Sequence, residues 1–94
     1  MKIAAEALLK KMKNVHWKSV DGEAVLLHFG TGDYFALDTV GTFLWSKINK
    51  GPVQFKELIE TLSNEYTIPK EQVEGDVKEF CGQLLAEKLI EIKN

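Results

Sequence analysis

The sequence predicts a single α+β domain in which three antiparallel strands precede three helices. Its length of 94 residues is enough for one hydrophobic core. From Val15 the pattern has the period of two that is typical of strands, with one segment apolar on both faces, and from Asp38 onward the apolar residues recur at helical spacing. Asp21-Gly22 separates the first two alternating segments, and this pair is a strong hairpin signal because both central positions of a type I′ turn need φ > 0. Strands followed by helices favour the α+β class.

The first fourteen residues, 1–14, are interpreted as an extension that precedes a domain spanning 15–94. Lysines follow its apolar residues, at the end where they would complement a helix dipole. The apolar residues lie on one helical stripe, which consists of Ile3, Ala4, Ala7, Leu8 and Met12. We therefore predict a short amphipathic N-terminal helix that packs on its own domain or frays. The segment lacks the aromatic residues of a membrane-surface helix and the small-residue cleavage site of a signal peptide.

Three strands form the predicted meander. The first is Val15 to Val20, and the second, Glu23 to Phe29, is apolar on both faces, which is typical of a central strand. The tight reversal Gly30-Thr31-Gly32 then leads into a short third strand, Asp33 to Leu37, at the edge of the sheet. On the second strand, Val25, Leu27 and Phe29 are expected to face the core.

Three helices follow, each with a recognisable boundary. Asp38 is a suitable N-cap for the first, and Gly51-Pro52 ends it. The second runs from about Gln54 to Tyr66, and the third from Pro69 to about Glu87, after which residues 89–92 can form a short strand. The predicted core consists of Val25, Leu27, Phe29, Phe35, Leu37, Phe43, Leu44, Leu58, Leu62, Phe80 and Leu84.

The composition excludes several classes of function. All 12 basic residues are lysine, and the formal net charge is −2. The absence of Arg disfavours nucleic-acid binding and phosphoryl transfer, which rely on the planar guanidinium group. The single cysteine, Cys81, cannot form an intrachain disulfide, so a reducing, cytoplasmic location is expected. No apolar run approaches the roughly 20 residues of a membrane span.

No set of residues points to catalysis or to a bound cofactor. His16 and His28 fall on neighbouring strands and could face one another, but no third metal ligand has suitable spacing. Cys81 lies on a helical apolar stripe, where a cysteine is usually a small buried hydrophobe instead of a reactive thiol. Gly30-Thr31-Gly32 opens into a strand, which does not fit a phosphate-binding loop. We therefore expect no enzyme activity, no metal and no cofactor.

The third strand is the most promising functional surface. An edge strand offers a row of main-chain donors and acceptors to an extended peptide. Two alternatives remain open, in which the edge is covered by the N-terminal helix or by a second copy of the chain.

The same region carries a resemblance to a known family. The run from Leu26 to Asp38, followed by Val40-Gly41 and Leu44-Trp45, resembles the PqqD-like family over about residues 15–92. These RiPP recognition elements are small winged-helix domains that bind leader peptides of ribosomally made, post-translationally modified peptides. The most specific part is the Gly-Asp-Tyr-Phe-x-Leu-Asp stretch.

The resemblance implies a fold, a function and a set of site residues. It implies three antiparallel strands followed by three helices, with the leader peptide added to the third strand beside the third helix. It also implies a peptide chaperone without catalytic residues that presents a precursor to a separate modifying enzyme, such as a radical-SAM maturase, in cofactor or natural-product biosynthesis. The corresponding peptide-binding residues are Asp33, Tyr34, Phe35, Ala36, Leu37, Val73, Val77, Cys81 and Leu84.

DNA binding by the winged-helix fold is the alternative function. The outward side of the third helix would present Glu71, Glu74 and Glu79 with only Lys78 among them, and such a surface repels phosphate. Partners other than a leader peptide and a modifying enzyme, including nucleic acid and membranes, are therefore not expected. The chain is expected to be a monomer or a weak dimer.

Overall fold

Six strands and three helices occupy residues 3–93, the part of the chain that the computed structural model describes. In chain order they are β1 (Leu8–Lys11), β2 (Val15–Val20), β3 (Glu23–His28), β4 (Tyr34–Ala36), α1 (Thr39–Asn49), β5 (Val53–Gln54), α2 (Phe55–Tyr66), α3 (Lys70–Ala86) and β6 (Ile90–Lys93). The predicted α+β class and winged-helix-like order, a three-stranded meander before three helices, are confirmed. No helix in this range is long and apolar enough to cross a membrane.

The meander has the predicted topology, with β3 between β2 and β4. Asp21 and Gly22 adopt φ values of 54° and 84°, so the hairpin has positive φ at both central positions, as the sequence predicts. β4 lies at one edge of this sheet and is antiparallel to β3.

The core face of β3 is the opposite of the predicted one. Ala24 and Leu26 are fully buried, whereas Val25 and Leu27 are only half-buried and Phe29 is 58% exposed. Because both faces of this strand are apolar, alternation alone cannot indicate which face the helices cover. The prediction of Val25, Leu27 and Phe29 in the core is therefore wrong.

The helices begin and end close to their predicted boundaries. The carboxylate of Asp38 accepts a hydrogen bond of 2.7 Å from the Gly41 N–H and caps α1. Trp45 in α1 is fully buried. The predicted core residues Leu44, Leu58, Leu62 and Leu84 are confirmed as buried, and four others, Phe35, Leu37, Phe43 and Phe80, are half-buried against the same cluster.

The predicted N-terminal helix over residues 3–12 is wrong. Residues 8–11 of this segment form β1, which is the central strand of a second sheet, ordered β5-β1-β6. Leu9 is fully buried there, opposite Val53 on one side and Ile92 on the other. A helix this short is marginal in water, whereas the strand pairs at both edges and buries Leu9, a residue outside the predicted helical stripe. The short C-terminal strand is confirmed as β6.

Candidate functional site

β4 has one paired edge and one edge with no strand beside it in residues 3–93. Two hydrogen bonds define the paired side. The His28 N–H donates to the Asp33 carbonyl at 3.0 Å, and the Leu37 N–H donates to the Ala24 carbonyl at 2.9 Å. The ladder between β3 and β4 therefore runs along the odd-numbered residues of this segment.

The main-chain groups of the even-numbered residues face the free edge. Phe35 lies opposite Leu26, between the two hydrogen bonds above, so its N–H and C=O are directed towards β3. Tyr34 and Ala36 alternate with Phe35, and each directs an N–H and a C=O away from the sheet. These four groups are the donors and acceptors that an added strand can pair with.

A groove of about 590 Å³ lies beside this edge, between β4 and the second half of α3. Leu84 and Leu89 are buried, and Phe35 and Phe80 are half-buried, so its walls are largely apolar. Glu87 is the single charged residue among those that line it, which are Tyr34, Phe35, Ala36, Leu37, Phe80, Gln83, Leu84, Ala86, Glu87 and Leu89. An extended peptide with apolar side chains on one face fits this arrangement.

Of the predicted site, Leu84 and the strand residues Tyr34 to Leu37 come together at this groove. Asp33 precedes β4 and does not line the groove, and three residues of α3 do not line it either. Val73, Val77 and Cys81 are each at most 3% exposed and lie in the hydrophobic core instead. Burial raises the pKa of the Cys81 thiol to about 12, which keeps it protonated and unreactive. The assignment of these three residues to the pocket wall is corrected, because their i, i+4, i+8 stripe faces the protein interior.

Four further residues that line the groove, in the second half of α3 or directly after it, were not predicted as site residues. Phe80, Gln83 and Glu87 recur at i, i+3 and i+7, so they share one face of α3, and Ala86 lies next to that face. This face adjoins the buried stripe, and the half-buried Phe80 joins the two. The presence of an aromatic residue at the margin of an apolar stripe was the available sequence signal.

Phe80 lies close to the start of α1. A Cβ added at Gly41 would lie 3.1 Å from Phe80 Cε1 and 3.3 Å from Leu37 Cβ. Glycine at this position therefore allows the α1 backbone to approach both a groove residue of α3 and the residue that follows β4. The turn between β4 and α1 and the wall of the groove are thus parts of one packed unit.

The two histidines do not form a pair. His16 lies opposite Leu27, whereas His28 lies opposite Val15 and its Nδ1 accepts a hydrogen bond of 3.2 Å from the Thr31 N–H. Within residues 3–93, no three His, Cys, Asp or Glu side chains are grouped so that they could hold a metal ion. The chemistry that this site supports is the binding of an extended chain.

Comparison with known proteins agrees with this geometry. A sequence model of the family described as coenzyme PQQ synthesis protein D (PqqD) matches residues 23–90. The solved structure of TbiB1 in complex with the TbiA(beta) leader peptide has 35% sequence identity and a TM-score of 0.81, over 87% of this chain and 94% of that chain. Lasso peptide synthetase B1, complexed with the leader peptide, shares the fold with a TM-score of 0.77 at 17% identity, over 88% and 96% of the two chains. No curated protein matches the chain.

Proposed function

The chain belongs to the PqqD family, and from this premise we propose that it is a non-catalytic protein that binds the leader of a ribosomally made precursor peptide. TbiB1, which is 35% identical, forms a complex with a leader peptide. The observation that carries the proposal is the unpaired edge of β4 directly beside an apolar groove. Main-chain pairing on the edge supplies affinity and register, and side chains that enter the groove supply specificity.

The contacts with the peptide follow from the directions in which the main-chain groups of β4 and the side chains of the leader point. The N–H and C=O groups of Tyr34 and Ala36 pair with the added strand. Leader side chains on the core side of that strand enter the groove against Phe80 and Leu84. Asp33 and Leu37 form the two ends of the binding edge, and the remaining groove residues are Phe35, Gln83, Ala86, Glu87 and Leu89. Val73, Val77 and Cys81 support the wall from the core.

A leader-binding protein without catalytic groups requires a second protein for the chemistry. We propose that residues 15–94 form the peptide-binding domain and present the precursor to a separate modifying enzyme, such as a radical-SAM maturase, in the cytoplasm. Residues 1–14 are an extension that contributes β1 to the second sheet. The chain acts as a peptide chaperone, as a monomer or a weak dimer.

The DNA-binding alternative is not supported. Both similar structures are complexes with leader peptides. The exposed part of α3 carries the carboxylates of Glu71, Glu74, Asp76 and Glu79 against the two lysines Lys70 and Lys78, and this excess of carboxylates disfavours contact with phosphates.

The test is binding of labelled peptides, measured by fluorescence anisotropy. The probes are the TbiA(beta) leader peptide and the N-terminal halves of short open reading frames that neighbour the gene, and scrambled peptides of the same composition serve as controls. Saturable binding of at least one probe but not of its scrambled control is expected. Amide shift mapping should then show the largest changes in β4 and in the second half of α3. Changes confined to α1 and α2, or the absence of binding by every probe, would contradict the proposal.

A further inference from the structure

A second apolar surface lies on the other side of the same sheet. This outer face of the meander is turned away from the helices and carries the side chains of His16, Lys18, Val20, Glu23, Val25, Leu27, Phe29, Tyr34 and Ala36. Tyr34 is 72% exposed and Phe29 58% exposed, and the Phe29 ring stacks on His16 with 4.1 Å between the ring centroids. So many exposed aromatic and aliphatic side chains on one face of a small domain indicate a binding surface.

A shallow depression of about 290 Å³ lies in this face. Val25 and Leu27 form its apolar part, and its remaining lining residues are His16, Trp17, Lys18 and Tyr34. Tyr34 also lines the groove beside α3, so the depression and the groove meet at the free edge of β4. One strand added to that edge is therefore adjacent to both.

Strand geometry directs the side chains of such a peptide to both surfaces. Successive side chains of a strand point to opposite faces of the sheet. Every second leader side chain therefore enters the groove on the core side of β4, and each intervening side chain lies on the outer face, beside Tyr34 or Ala36.

Ala36 leaves a gap through which an outer side chain can reach the depression. Ala36 lies opposite Val25, and Tyr34 lies opposite Leu27. A peptide side chain next to Ala36 meets only a methyl group before it reaches Val25, whereas the Tyr34 ring forms a wall on one side of it. Neighbouring strands are about 5 Å apart, so the added strand and β3 are about 10 Å apart, and the side chain must extend over β4, which the long side chains of Met, Phe or Tyr can do.

We infer that this depression is a second specificity subsite, which takes a large apolar leader side chain next in sequence to one that enters the groove. The inference rests on the proposed function, because an added strand at β4 brings the leader to both surfaces. A second subsite changes the sequence that is expected of the leader. A leader recognised by the groove alone needs apolar residues only at alternate positions, whereas recognition by both surfaces requires two consecutive large apolar residues.

The experiment selects ligands without assuming the natural leader. A phage library of random dodecapeptides is selected on the full-length protein, and an enriched peptide is then truncated to alanine at each position. Each truncation is measured by fluorescence anisotropy on the wild-type protein and on Ala86→Lys, Val25→Glu and Val20→Glu. The enriched peptide itself is also measured on Ala36→Pro, which deletes an N–H at the free edge of β4. Val20 is a matched control, because it lies on the same outer face at the far end of β2, 44% exposed and outside the depression.

The effects of truncating two adjacent apolar residues of the peptide are expected to depend on different variants of the protein. Truncating the peptide residue that enters the groove should lower the affinity for the wild-type protein at least tenfold and the affinity for Ala86→Lys much less. Truncating the next residue of the peptide should lower the affinity about tenfold for the wild-type protein and for Val20→Glu, and should leave the affinity for Val25→Glu almost unchanged. Circular dichroism checks the fold of each variant. Ala36→Tyr, which fills the gap and keeps the main chain, provides a second test if Val25→Glu unfolds.

The outcomes separate this inference from the proposed function. Two results would overturn the second subsite and leave leader binding intact. In the first, the selected peptides carry polar residues between alternate apolar ones. In the second, truncating the peptide residue next to the one in the groove lowers the affinity equally for every variant. A selection that enriches no peptide, or peptides insensitive to Ala86→Lys and Ala36→Pro, would overturn strand addition and the subsite together.

Discussion

Phe35 lies directly opposite Leu26 in the ladder between β3 and β4, and this pairing determines which main-chain groups face solvent. Because Phe35 points its N–H and C=O at β3, the groups of Tyr34 and Ala36 are free. The same alternation places the Phe35 side chain against the core and leaves those of Tyr34 and Ala36 exposed. One register therefore sets both the hydrogen-bonding edge and the two side-chain surfaces next to it.

The first prediction concerns the free edge. Ala36→Pro deletes an outward N–H, and proline is tolerated on an edge strand, so the fold should persist. Binding of a leader probe that the wild-type protein binds should weaken about tenfold, because one ladder hydrogen bond is lost and the proline ring blocks close approach. Fluorescence anisotropy measures the affinity. Phe35→Pro is the contrasting variant, since it deletes an N–H directed at β3 and should lower the melting temperature. Equal affinity of Ala36→Pro and wild type would exclude pairing at this edge.

The second prediction concerns the groove wall on α3. Ala86→Lys places an ammonium group in an apolar groove, and it should weaken leader binding about tenfold. A lysine in the last turn of α3 complements the helix dipole, so stability should be retained. Gln72→Lys makes a comparable change on an exposed residue near the other end of α3, outside the groove, and should bind like wild type. Similar losses for both variants would indicate a non-specific charge effect.

Periodicity in the sequence was sufficient for the meander, the three helices and the edge position of the third strand. It failed for β3, where both faces are apolar and only the packing of the helices decides that Leu26 is buried and Val25 is not. It also failed for β1, whose spacing fits a helix but whose partners, β5 and β6, are more than 40 residues away in sequence. Long-range pairing of this kind leaves little local signal.

The candidate site was predictable on its strand side and less so on its helix side. The edge position of Tyr34 and Ala36 follows from the strand order, and the groove position of Leu84 agrees with the resemblance. The apolar stripe that contains Val77 and Cys81 looks the same in sequence whether it lines a groove or the core, and it lies in the core. A groove stripe and a core stripe differ in burial, and burial depends on how α2 and β6 pack against α3.

The third prediction contrasts two glycines. Gly41→Ala should lower the free energy of unfolding by about 1 kcal/mol, because the added Cβ would lie 3.1 Å from Phe80 and 3.2 Å from the Asp38 carboxylate. Since Phe80 lines the groove, leader affinity should fall as well. Gly75→Ala, in the interior of α3 with no atom within 4 Å of the new Cβ, should raise the free energy of unfolding by about 0.5–1 kcal/mol. Urea denaturation measures both. Stabilisation by Gly41→Ala would show that this close approach is not tight.

The fourth prediction follows from the buried thiol of Cys81, whose pKa is raised from 9.0 to about 12 by desolvation. Above pH 9 the unfolded chain loses this proton while the folded protein keeps it. The contribution of the group to stability is therefore complete below pH 9 and is lost as the pH rises from 9 to 12. At pH 10.5 the loss should be about 2 kcal/mol relative to pH 7.5.

Comparison with Cys81→Ala isolates this contribution, because the two proteins differ only at this side chain and all other contributions to the pH dependence of stability largely cancel. Urea denaturation at pH 7.5 and 10.5 should show that the stability advantage of wild type over Cys81→Ala shrinks at the higher pH. Iodoacetamide at pH 8 should alkylate Cys81 slowly in the folded protein and rapidly in urea, because the thiolate forms only when the core opens. Rapid alkylation of the folded protein, or a stability difference independent of pH, would place Cys81 at the surface of α3, where it could line the peptide groove after all.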